Sequence, residues 1–121
     1  MSVMRRAVQQ AASQLEHLPV QGVWRQRFCF AADSAVFAGH CPGHPVLPAV
    51  VQVLMVQVIL EAIGQPADLA CIPQAKFLAP VGPAMNILLT LSKGRRNNRW
   101  ECTLHCGETL AARMQVEVPA P

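Results

Sequence analysis

Tyrosine is absent from this 121-residue chain, and charged residues make up only 14% of it. A lone folded chain with so little charge is short of polar surface, so some apolar surface is expected to meet another copy. A dense basic stripe with interleaved aromatics is also missing, although the formal net charge is +3. Scattered arginines argue against nucleic acid and suit a mildly basic rim facing an acidic partner. No apolar core follows Arg5 and Arg6, so the N-terminus does not read as a secretory signal. The most apolar stretch, Ala49 to Leu60, is broken by Gln52 and Gln57. It is too short to span a bilayer, so no membrane partner is expected and the location expected is cytoplasmic. The cysteines, Cys29, Cys41, Cys71, Cys102 and Cys106, are odd in number and lack a close pair of metal type. They read as free thiols of a reducing compartment. On a strand Cys102 and Cys106 face one way and His105 the other, so no shared metal is expected, and no cofactor is expected elsewhere.

What is present divides into a helix-rich first half and a strand-rich second half. Met4 to Leu18 has helical spacing at Val8, Ala11, Ala12 and Leu15, and Pro19 ends it. Val23 to Ala31 alternates, with Trp24, Phe28 and Phe30 to one side and Arg25, Arg27 and Cys29 to the other. That is the pattern of a half-buried strand. Asp33 to Gly39 reads as a turn and a short extended piece. Pro48 to Ile63 is a long apolar segment closed by Gly64, with Pro66 beyond. Its valines suit a strand, but its length and the punctuation at both ends make it a helix wrapped by other structure. Extended segments follow at Ile72 to Ala79, Asn86 to Ser92, Arg99 to Cys106 and Leu110 to Val118. One buried helix and an antiparallel meander make an α+β domain, expected to be single over residues 1–121 with residues 1–20 as an N-terminal helical segment.

The run His40-Cys41-Pro42-Gly43-His44-Pro45-Val46-Leu47-Pro48-Ala49-Val50 carries the chemistry. Three prolines and a glycine stiffen a loop that leads straight into the apolar helix. Pro48 suits a first helical turn, where its missing N–H is not needed. The loop thus sets imidazoles and unpaired backbone N–H groups at a helix start, where a carbonyl oxygen is held and a proton moved beside it. Cys41 reads as a small hydrophobe rather than a nucleophile, and His44 as a structural or solvent-facing residue. His17 and His105 look incidental. Arg95, Arg96 and Arg99 read as a solvated turn, with an acidic partner surface as the functional alternative.

Gly39 to Ala49 resembles the Gly-His-Phe-Pro-Gly-x-Pro-Val-Met-Pro-Gly pattern of the hot-dog 3-hydroxyacyl-ACP dehydratases. Cys41 stands for the phenylalanine, Leu47 for the methionine and Ala49 for the last glycine. A second block, Lys76-Phe77 with Pro80-Val81-Gly82-Pro83, resembles the family's Lys-Phe…Pro-Val-x-Pro stretch. The resemblance covers roughly residues 22 to 118 and implies an antiparallel sheet wrapped around a long central helix. It implies that His40 is the acid/base histidine and that the backbone N–H of Ala49 binds the thioester carbonyl. Gly43, Pro48, Ala49, Val50 and Leu54 are the substrate-binding positions it implies. In the family a carboxylate from the partner subunit's central helix completes the site, and its position, fourteen residues after the histidine, is Leu54 here. Leucine can neither give nor take a proton. Glu61 lies about 10 Å further along the helix axis, and Gln52 and Gln57 can orient a water or a hydroxyl but are poor acids.

The resemblance implies a dehydratase-like enzyme on acyl carrier protein or CoA thioesters, in fatty-acid, polyketide or polyene-type lipid biosynthesis. An imidazole with a pKa of about 6.5 serves to move the proton at neutral pH. The alternatives are a hot-dog acyl thioesterase and a non-catalytic carrier-binding subunit. The expected assembly is a homodimer, or a heterodimer with another hot-dog protein that supplies the missing carboxylate.

Overall fold

Pro48 stops the chain from turning helical too early and Gly64 stops it from continuing, and between them runs α2, Ala49–Ala62. Pro48 is extended (φ −64°, ψ 151°) and sits just outside the helix, so the first helical residue is Ala49 rather than the proline. At the other end Gly64 adopts φ +83°. Its N–H donates to the Glu61 carbonyl at 3.1 Å and that of Gln65 to Leu60 at 2.8 Å. These two bonds satisfy carbonyls that a helix end otherwise leaves open. The computed structural model describes residues 2–38, 43–65, 71–96 and 98–119.

Six strands form one antiparallel sheet: β1 (Glu16–Leu18), β2 (Val23–Phe28), β3 (Cys71–Phe77), β4 (Ile87–Lys93), β5 (Arg99–Cys106) and β6 (Thr109–Glu117), in the order β1-β2-β4-β5-β6-β3. Alternation decides which face is inside. Ile87, Leu89 and Leu91 of β4, Trp100, Cys102 and Leu104 of β5, and Ala112, Met114 and Val116 of β6 are all buried. The register sets Leu91 opposite Cys102 and Cys102 opposite Met114. Val51, Met55, Val56, Ile59 and Leu60 of α2 join the same core. The α+β architecture and the alternating faces of the last two strands are as the sequence implies.

The N-terminal segment differs from expectation. Its helix, α1, covers only Val3–Ala11, and Glu16–Leu18 pair with Val23–Arg25 as a short edge strand. The Pro19–Gly22 turn makes that hairpin, with the N–H of Gly22 donating to the Pro19 carbonyl. A sheet edge therefore outcompetes the helical spacing of the last few residues. The Trp24 indole stacks on His17 at 3.7 Å between centroids, which gives that histidine a packing role. The expected extended piece before the proline loop, described as far as Ala38, holds a 3₁₀ turn, Ala35–Phe37, where the Val36 N–H donates to the Ser34 hydroxyl and the Phe37 N–H to the Ser34 carbonyl. Nor is α2 wrapped on all sides, since Val50 is 74% exposed. Arg99 is more than a solvated turn residue, because its guanidinium reaches the Glu117 carboxylate at 3.1 Å. Arg99 and the Cys71 thiol both bond to Glu117, and together they hold its carboxyl below the usual range. Among the described residues no helix is long and apolar enough to cross a membrane.

β3 is exposed along its whole length and pairs only with β6. Pro73 sits where the register slips between Cys71 and Gln74, and an edge bulge is one of the few places a sheet accepts proline. Phe77 and the following Leu78 are 45% and 55% exposed.

Burial pushes the Cys102 thiol up to about 12 from 9.0. A thiol raised on folding adds stability that is complete below pH 9 and is lost as pH climbs towards 12. Urea unfolding is therefore expected to weaken between pH 9 and 12 by up to about 4 kcal/mol. Cys102→Ala should flatten that part of the profile. An unchanged slope in the variant would assign the alkaline loss to other groups.

Candidate active site

Leu47 is the hinge of the site's architecture. Its side chain is buried, its N–H donates to the Val81 carbonyl at 2.7 Å, and its own carbonyl accepts from Gln52 Nε2 at 3.3 Å. Both backbone groups are thus pinned, which fixes how the chain enters Pro48 and Ala49. No side chain caps the start of α2. The N–H groups of Val51 and Gln52 turn back to the Pro48 carbonyl. The first N–H groups of a helix carry its positive end and suit an oxygen with developing negative charge.

A groove of about 480 Å³ opens over this helix start, walled by Val46, Pro48, Ala49 and Gln52 on one side and Phe77 and Leu78 on the other. It shares Val46 and Pro80 with a second groove of about 380 Å³ that Gly43, His44 and Met85 help to line. Gly43 holds φ +88°, a conformation that favours glycine and lets the loop reverse. Ala84, in the facing loop, is held at φ +61° and its N–H bonds to the Phe30 carbonyl at 2.7 Å. A non-glycine residue there is strained and must be held by its surroundings.

Of the positions picked from sequence, Pro48 and Ala49 line the first groove and Gly43 the second. Val50 lies on the helix start but points its bulk to solvent, and Leu54 is half-buried against the core; neither is among the groove-lining residues. His40 and Cys41 lie outside the described residues. Glu61 is bound in an ion pair with Arg5 of α1, so it is committed to joining two helices and does not serve the groove. Most of the residues lining the first groove were not named as substrate-binding from sequence, among them Phe77, Leu78 and Gln52, the last read only as able to orient a water or a hydroxyl. Phe77 stands in the second sequence block, and that block was the signal available for it. Gln52 is the sole polar interruption in the first turn of α2, which was a signal too. No cluster of metal-ligating side chains occurs among the described residues.

Residues 16–115 match the sequence model of a family described as ApeI-like, ApeI dehydratase. The 3-hydroxyacyl-[acyl-carrier-protein] dehydratase FabZ of Ehrlichia chaffeensis is 32% identical over 97 residues. That alignment covers 66% of this chain and 62% of the relative, so the chain spans less than two thirds of that protein. The dehydratase heterocomplex ApeI:P from Xenorhabdus doucetiae superposes with a TM-score of 0.77 at 20% identity, over 90% of this chain and 96% of that one. The dehydratase domain of the polyketide PpsC from Mycobacterium tuberculosis gives 0.69 at 15% identity, over 92% and 44%. These structural likenesses establish the hot-dog fold.

Proposed function

Because the chain belongs to the ApeI-like dehydratase family, we propose that it removes water from 3-hydroxyacyl thioesters on acyl carrier protein or CoA. The setting is fatty-acid, polyketide or polyene-type lipid biosynthesis in the cytoplasm. The observation that carries this reading is the uncapped start of α2 opening into an apolar groove, directly after the loop that bears His40.

The thioester carbonyl oxygen lies at the helix start, where the Ala49 N–H donates to it. His40 takes the proton from C2, and the electron pair left behind is stabilised towards the carbonyl by that N–H and the helix dipole. The C2–C3 double bond then forms as the C3–O bond breaks. The imidazolium returns its proton to the departing hydroxyl, which leaves as water. One histidine therefore serves as base and then as acid. The substrate chain runs along Val46 and Phe77, whose apolar walls need no polar partner.

Leu54 puts no carboxylate at the helix position where the family carries one, and Glu61 is engaged by Arg5. The exposed edge of β3, with Phe77, Leu78 and Val50 uncovered nearby, supports pairing with a second hot-dog chain. That chain is another copy or a different protein bringing a carboxylate to the site. The test is mass spectrometry of the protein incubated with 3-hydroxyacyl carrier protein, alone and with a neighbouring hot-dog protein. Loss of water in either mixture is expected. Thiol release without water loss, or no chemistry in either mixture, would overturn the reading.

A further inference from the structure

We infer that Gln52 recognises the 3-hydroxyl group of the substrate, an inference that rests on the proposed dehydratase reading. Gln52 is the one polar side chain in the buried set of described residues, 4% exposed in a helix stripe otherwise made of Val51, Met55, Val56, Ile59 and Leu60. Its Nε2 donates to the Leu47 carbonyl, and that bond fixes the amide's orientation. Turning it over would set Oε1 against another carbonyl oxygen, two acceptors with no proton between them. The Oε1 atom is buried and has no hydrogen-bond partner among the described residues. Folded proteins leave few such acceptors unpaired, because an unmet one forfeits its bonds to water.

Gln52 lines the groove, three residues after Ala49. Residues three apart share a helix face, so a ligand whose carbonyl meets the Ala49 N–H passes Gln52 within the next few atoms. An oxygen acceptor there calls for a donor. A 3-hydroxyacyl group carries one, two carbons beyond its carbonyl, and a saturated or 2-enoyl group carries none. The polar break in the apolar stripe therefore separates substrate from product, holding the hydroxyl form and releasing the enoyl form.

The test measures binding, so it does not depend on turnover. The probes are a 2,2-difluoro-3-hydroxyacyl pantetheine amide, which has no C2 proton to lose, and its 3-deoxy counterpart. The intact protein, with its partner chain if one is required, is expected to bind the hydroxy probe roughly five- to a hundredfold more tightly than the deoxy probe. Gln52→Met should erase that preference, bringing the ratio of the two affinities to about one. Gln52→Glu, which in its neutral acid form keeps the shape, a donor to the Leu47 carbonyl and an acceptor, should retain it when assayed at a pH low enough to protonate it. Equal affinities in the unaltered protein, or a preference that survives Gln52→Met, would overturn the inference and mean that water alone meets Oε1. A fall in both affinities for Gln52→Met, with Gln52→Glu also without preference, would overturn it in favour of a purely structural amide. Failure of the dehydratase reading shows separately, as no water loss from true substrate.

Discussion

Dehydration is expected to fall by about 10²–10⁴-fold in His40→Ala, the size of effect that a positioned acid/base group contributes. The measurement is single-turnover loss of water from a 3-hydroxyacyl thioester, with any required partner present. Binding of a saturated thioester should be nearly unchanged, because the groove walls include Val46, Pro48, Phe77 and Leu78 and the proposed carbonyl site is backbone at Ala49. The combination separates proton transfer from binding, since loss of a group used only in the transition state lowers rate without raising the dissociation constant. Full turnover in His40→Ala would sink the mechanism. The size of the loss also bears on Leu54. Leucine at that position and Glu61 held by Arg5 leave neither to take over the proton when the imidazole is gone.

Phe30→Ala carries the largest stability effect, an expected loss of about 3–5 kcal/mol in urea unfolding. Phe30 is 1% exposed and lies 6.4 Å from both Phe28 and Phe37 between ring centroids, parallel to the first and edge-on to the second. Removing the middle ring strips contacts from two others and leaves a cavity that the 3₁₀ turn at Ala35–Phe37 cannot fill without shifting. The total stability of a domain this size is typically 5–15 kcal/mol, so the variant should be marginal at 37 °C. A fall below 1.5 kcal/mol would mean that the aromatic trio is loosely packed. The effect should also reach activity. The Phe30 carbonyl accepts from strained Ala84, and the turn holding Phe37 leads into the His40 loop.

The hot-dog architecture was legible because three signals agreed. Proline and glycine bracketed the central helix, alternation marked the strands, and two short blocks resembled one enzyme family. Trp100, Cys102 and Leu104 against Arg99, Glu101 and Thr103 put the inner face of β5 in the sequence outright. The end of the N-terminal helix was not legible. Ala11, Ala12 and Leu15 keep helical spacing, and only tertiary pairing with β2 turns Glu16–Leu18 into a strand. The Ser34 cap was not read from the sequence, since a serine before three apolar residues also begins many loops. Pro48 and Ala49 were legible as a helix start because local backbone chemistry dictates one, and their binding role came from the resemblance alone. The role of Glu61 was hidden because Arg5, its partner, lies 56 residues away. Gln52 was noticed as a polar break, but its unpaired oxygen exists only once Leu47 is fixed by Val81.

The position of β3 in the sheet also sets an order of events during synthesis. Every other strand pairs with a neighbour that precedes or follows it closely in the sheet's meander, but β3 is bonded to β6 alone, with Cys71 and Glu117 in contact across 46 residues. When β3 is made, its partner does not yet exist. β4, β5 and β6 can close their hairpins locally and soon after they appear, whereas β3 must wait with Ile72 and Phe77 uncovered. Pro73 and Lys76 are then protective, since proline and lysine on an unpaired strand discourage pairing with a stranger's edge. The two residues that weaken β3 in the finished sheet keep it unattached until β6 arrives.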